Sequence, residues 1–198
     1  MCAMEMVAWL AGEEHSDEPR CACPVIAAYV RAVNDALPTD TSRDRMLRPL
    51  VPRFVNTRGS ANDERRRGWI VVDAMVRRLL PHLLDKRGKK EFAAALREMP
   101  AVADKSSAQA MLRAIDHFAI DQHAARWVLQ RAIEGMSPQR FVAGAVQIVR
   151  RAGDPAAFEL ATAIAAELTA PAAVANTRTR SSARRPQPEK GQQGEAEA

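Results

Sequence analysis

The sequence predicts an all-α fold, a single multi-helix, bundle-like domain with a kinked central helix and a disordered C-terminal tail. Three observations predict it. Hydrophobic residues make up 47% of the 198 but aromatic ones only 5%, so the core is drawn from Ala, Val, Leu, Ile and Met, which favour helices over sheets. Apolar residues recur at spacings of three and four along most of the chain, with no strand-like alternation of useful length. Proline, serine and aspartate then punctuate these runs at positions that start and stop helices.

The elements follow in order. Residues 4–14 place Met6, Val7, Trp9 and Leu10 at helical spacing and stop near Gly12. A polar loop, His15-Ser16-Asp17-Glu18-Pro19-Arg20-Cys21-Ala22-Cys23, opens into a helix over 24–37, with Cys23 as N-cap and Pro24 at the first helical position, where a missing N–H costs nothing. Pro38 ends that helix, and Thr39 to Ser42 cap the next. Over 42–55, Pro49 and Pro52 interrupt the apolar pattern, which predicts a kinked helix or two short turns.

The longest run, 62–84, carries Trp69, Val72, Val76, Leu79 and Leu83 and is the expected central helix, kinked by Pro81. A short helix over 91–98 is closed by Pro100. Ser106 or Ser107 opens another through Phe118, and Asp121 opens one through Glu134 that Gly135 terminates. Ser137-Pro138 and Asp154-Pro155 start the last two helices. The result is eight or nine helices over residues 4–169. From 170 to 198 the chain is polar and basic with almost nothing to bury, which predicts disorder.

The formal charge is +5, but its distribution matters more than its sum. Residues 59–99 hold 10 basic and 6 acidic side chains, whereas 100–170 hold 7 of each. Arg65, Arg66, Arg67, Arg77, Arg78, Lys86, Arg87, Lys89 and Lys90 are the candidate phosphate contacts of a nucleic-acid binder. Adjacent arginines spread around a helix, however, and Asp63 and Glu64 neutralise part of the cluster. The bias of 24 Arg to 5 Lys also resembles the drift of a high-GC genome.

Cys2, His15, Cys21 and Cys23 are four candidate metal ligands, enough in number for tetrahedral zinc. Their Cys-x-Cys spacing is tighter than usual, and a structural loop with capping or buried cysteines is the favoured reading, with a reactive thiol at the helix start as a further alternative. No cofactor is therefore expected, zinc being the one this loop could take. Asp116, His117, Asp121 and His123 form a second cluster, weakened because Asp121 is needed as a cap. The three tryptophans are assigned to core packing rather than to a ligand pocket. Asp73, one turn beyond Trp69, calls for an arginine partner if half-buried.

No nucleophile elbow, glycine-rich phosphate loop or His-Glu-x-x-His helix is present, which argues against an enzyme. The N-terminus lacks a signal peptide and no window reaches the ~18 apolar residues of a membrane span, so a cytoplasmic protein with no membrane partner is expected. Ala11-Gly12-Glu13, Ser16-Asp17, Pro19, Cys21, Cys23-Pro24-Val25-Ile26, Asn34-Asp35 and Leu47-x-Pro49-Leu50 resemble a group of high-GC bacterial, mostly actinobacterial, helical proteins to which no activity is assigned. The resemblance covers about the first third of the chain and implies a bacterial, cytosolic protein. The function expected is a non-enzymatic interaction or regulatory module, its partner a protein sooner than nucleic acid; nucleic-acid binding is the first alternative and a metal-binding protein or enzyme the second.

Overall fold

A computed structural model describes residues 1–116, 123–135 and 137–170, apart from the side chains of Asp116, His123 and Gln139. Among the described residues every regular element is helical. They are α1 (Ala3–Leu10), α2 (Pro24–Ala36), α3 (Asp40–Met46), a 3₁₀ turn (Arg48–Leu50), α4 (Val51–Phe54), α5 (Ala61–Ala74), a π turn (Met75–Leu79), α6 (Leu80–Lys86), α7 (Lys90–Glu98), α8 (Lys105–Asp116), α9 (His123–Ile133), α10 (Pro138–Ala152) and α11 (Pro155–Leu168). The expected tail lies outside the described residues except for Ala170.

The starts of these helices follow from their capping chemistry. Cys2, Thr39 and Ser60 each accept the N–H three residues on, while Glu5, Ser42 and Asp63 answer with their side chains, giving three reciprocal capping boxes. Asp154 caps α11 through the Ala157 N–H at 2.8 Å. Pro24, Pro138 and Pro155 occupy first-turn positions where no donor is lost. Gly153 ends α10 at φ +64°, a left-handed conformation that a side chain would strain. The start of α8 differs from expectation: Asp104, not Ser106 or Ser107, accepts the Ser107 N–H at 2.8 Å, so the helix begins at Lys105.

Proline shapes two further places. Pro49 and Pro52 divide the region after α3 into the 3₁₀ turn and the single turn α4, which is the two-turn outcome. Ahead of Pro81, α5 passes through the π turn, where the Leu80 N–H reaches the Met75 carbonyl. A wider turn there relieves the crowding between the Pro81 ring and the carbonyl four residues back. The interruption of the central helix therefore takes the form of a π turn.

The rod formed by α5, the π turn and α6 shares the centre with α10, which packs on α2, α5, α6, the π turn and α11. Gly68 allows α5 to approach the start of α10, because a Cβ there would lie 2.9 Å from Pro138 Cγ. Tyr29, Phe54, Met75, Ile115, Leu129 and Leu168 are fully buried. Trp9 is not in the core. Met4, Val7 and Ala8 take the inward face of α1, and Trp9, about 200° around the helix from Val7, is 72% exposed.

Candidate functional site

The N-terminal loop is held by groups that leave its cysteines separate structural tasks. Glu13 accepts the backbone N–H groups of Arg20 and Cys21 at 2.6 and 2.8 Å. The Cys23 N–H donates to Thr57 Oγ1 at 3.0 Å, and the Arg58 N–H donates to the Cys21 carbonyl at 2.8 Å, stitching the loop to the segment after α4. Cys2 caps α1 through its sulfur; burial raises its thiol pKa, against the lowering effect of the Glu5 N–H. His15 Nε2 lies 3.4 Å from Glu5 Oε1, and Cys23 is buried at the start of α2. Among the described residues no three His, Cys, Asp or Glu side chains are grouped to hold a metal, so Cys2, His15, Cys21 and Cys23 are not brought together as a ligand set. His117 and Asp121, with the side chains of Asp116 and His123, lie outside the described residues.

The basic stretch has been divided among internal partners. Arg67 is only 7% exposed and donates to the Leu168 carbonyl at 3.1 Å and the Thr57 carbonyl at 2.9 Å. Arg66 donates to the Ala170 carbonyl and Arg53 to the Ala166 carbonyl, each at 3.0 Å. Three guanidinium groups thus collect at the C-terminal end of α11, where the last carbonyls lie beyond the regular helical hydrogen bonds and the dipole attracts cations. Sequence reading missed this role because the acceptors lie about a hundred positions away in the chain.

Arg77 Nη1 is 3.3 Å from Asp73 Oδ1, the pairing that the spacing from Trp69 anticipates, and Asp73 also accepts the Val102 N–H at 2.9 Å. Arg78 pairs with Glu167 at 2.7 Å. Lys86 pairs with Asp154 at 2.8 Å and donates to the Ala152 carbonyl. His82 Nε2 also lies 2.9 Å from Asp154. The Lys86 hydrogen bond, followed by those from the Ala157 N–H and His82, holds the Asp154 carboxyl well below the ordinary carboxylate range. Buried or internally paired Arg66, Arg67, Arg77, Arg78 and Lys86 therefore do not form one open phosphate-binding face, while Arg65, Arg87 and Lys90 are exposed.

A groove of about 540 Å³ opens between the π turn with α6, α9 and α10. Met75, Leu80, Leu83, Trp127, Val128 and Ile148 supply its apolar lining. Arg87, Lys89 and Arg151 also line it, and no carboxylate among the described residues does. Trp127 remains 45% exposed, so its indole completes a wall instead of closing into the core. Gly144 leaves room beside it, since a Cβ would lie 3.1 Å from Met75 Cε and 3.7 Å from Trp127 Cζ3. A smaller cleft of about 200 Å³ is lined by Arg65, Gly68, Trp69 and Phe141.

Among the described residues, this arrangement brings no nucleophile, general base and oxyanion donors together at the groove. No helix among the described residues is long and apolar enough to cross a membrane. Comparison with known proteins finds no matching family model, no matching curated protein and no matching solved structure.

Proposed function

We propose that the protein is a non-enzymatic interaction or regulatory module, working through the α6–α9–α10 groove. The observation that carries this reading is a largely apolar channel of about 540 Å³ left open beside Trp127, with Arg87 and Arg151 in its lining and no carboxylate among the described lining residues. Concave, mostly apolar sites with a few charged groups are suited to ligand and partner capture. A protein is favoured over nucleic acid because Arg66, Arg67, Arg77, Arg78 and Lys86 already have internal partners. A bacterial cytoplasmic setting belongs to the same proposal.

The test is capture from bacterial lysate on the immobilised full chain, comparing wild type with Gln147→Trp. Gln147 is exposed on α10 and lines the groove, so the larger ring obstructs the channel without displacing a core residue. The expected result is a stoichiometric protein that survives high salt on the wild type and is lost from the variant. Equal retention by both chains, or recovery only of nucleic acid released by salt, would overturn the proposal.

A further inference from the structure

We propose that the groove binds a free, single-chain anionic amphiphile, specifically a medium-chain aliphatic carboxylate. The inference rests on the groove being the working site and adds its ligand class. Its lining is of two chemical kinds, with Arg87 at the C-cap of α6 and Arg151 in the last turn of α10. Leu80, Leu83, Val128 and Ile148 give the interior aliphatic surface, and Trp127 gives it a broad apolar wall. Such a lining rewards a hydrocarbon chain.

The charged half selects the sign of the head group. The side chains of Arg87 and Arg151 make no hydrogen bond or ion pair to another described residue, in contrast to the internally paired arginines of α5 and the π turn. Lys89 adds a third cation to the same lining. Guanidinium groups form strong, often bidentate hydrogen bonds with carboxylates. No residue of the described lining is acidic, so no described side chain there repels a carboxylate.

The size of the site suits a small ligand. Its volume of about 540 Å³ lies within the range of ordinary ligand cavities. Gly144 is also placed where a side chain would occupy space between Met75 and Trp127. The missing Cβ lets Met75 and Trp127 pack closely over α10 and form that wall of the groove. The proposed event is reversible binding and involves no covalent chemistry.

Calorimetric titration of the full chain with octanoate, decanoate and dodecanoate, each kept below its micelle concentration, tests the inference. Affinity should rise about four-fold per methylene until the channel is full, whereas no dependence on chain length would overturn the proposal. Decyltrimethylammonium should bind wild type more weakly than the carboxylate of equal tail length. That order should reverse in R87E/R151E, where carboxylate affinity falls about ten-fold or more; because one amphiphile should still bind, the comparison separates altered charge from failed folding.

Equal binding of the two head groups by wild type, or an unchanged order in the double variant, would overturn the proposal. Saturable binding to phosphatidylglycerol vesicles without binding of free carboxylate would overturn it in favour of a membrane surface. If no carboxylate binds while Gln147→Trp still loses a captured protein, the ligand inference fails and the interaction-module reading survives. If carboxylates bind with the expected order and no groove-dependent partner is captured, the ligand inference stands without the broader reading.

Discussion

Replacing Arg67 with Met separates a structural arginine from a phosphate-binding one. Arg67 is 7% exposed and its guanidinium reaches two carbonyls, those of Leu168 and Thr57. Hydrogen bonds involving a charged group contribute ~1.5–3 kcal/mol each, and an apolar side chain recovers part of their loss through packing and removal of a buried charge. The expected net destabilisation is about 2–4 kcal/mol, or ~5–15 °C in Tm for a chain of this size. Arg65→Met, which changes an exposed side chain two positions away, should remain within ~0.5 kcal/mol of wild type. Urea unfolding followed by helical circular dichroism measures both. If Arg67→Met is as harmless as Arg65→Met, the guanidinium clamp at the end of α11 does not stabilise the fold and the structural assignment fails.

Gly68→Ala should destabilise by about 1–2 kcal/mol, because overlap with the rigid Pro138 ring outweighs the ~1 kcal/mol gain in helix propensity; a stabilised variant would contradict the close approach. Tyr29→Phe should leave stability unchanged or raise it by ~1 kcal/mol, since the buried hydroxyl has no hydrogen-bond partner among the described residues; a loss above ~2 kcal/mol would show that the hydroxyl makes a needed interaction. Asp154 has a depressed folded-state pKa, so its ionised form contributes stability fully above the unfolded pKa near ~3.9 and loses that contribution as pH falls toward the folded value. Asp154→Asn should therefore be less stable than wild type at neutral pH, with the difference narrowing below about pH 4; an unfolding series that shows a constant difference would contradict this linkage.

Local chemistry made the starts of the helices legible. Cys23-Pro24, Ser137-Pro138 and Asp154-Pro155 mark the observed starts of α2, α10 and α11 because caps and prolines act over a few neighbouring residues. The disruptive effect of Pro81 was also legible, although periodicity alone could not specify the π turn. Trp9 went astray because a short helix with abundant apolar residues permits more than one inward face. The Glu13 clamp and the arginine contacts to α11 were hidden for another reason: their partners are backbone groups, which have no distinguishing letter in a sequence. The groove likewise depends on three separated segments meeting, with Gly144 visible only as a helix glycine until Met75 and Trp127 are placed beside it.

The chain contains three tryptophans, which makes the central claim measurable at single-residue level. Trp127 lines the groove, Trp69 lines the smaller cleft, and Trp9 is exposed on α1. Nuclear magnetic resonance of the three indole N–H groups during a decanoate titration compares these locations in one molecule. The account predicts a saturable shift confined to Trp127 and abolished by Gln147→Trp, after assignment of the added indole. Equal shifts at all three native indoles, or a response at Trp9 or Trp69 while Trp127 stays fixed, would contradict it.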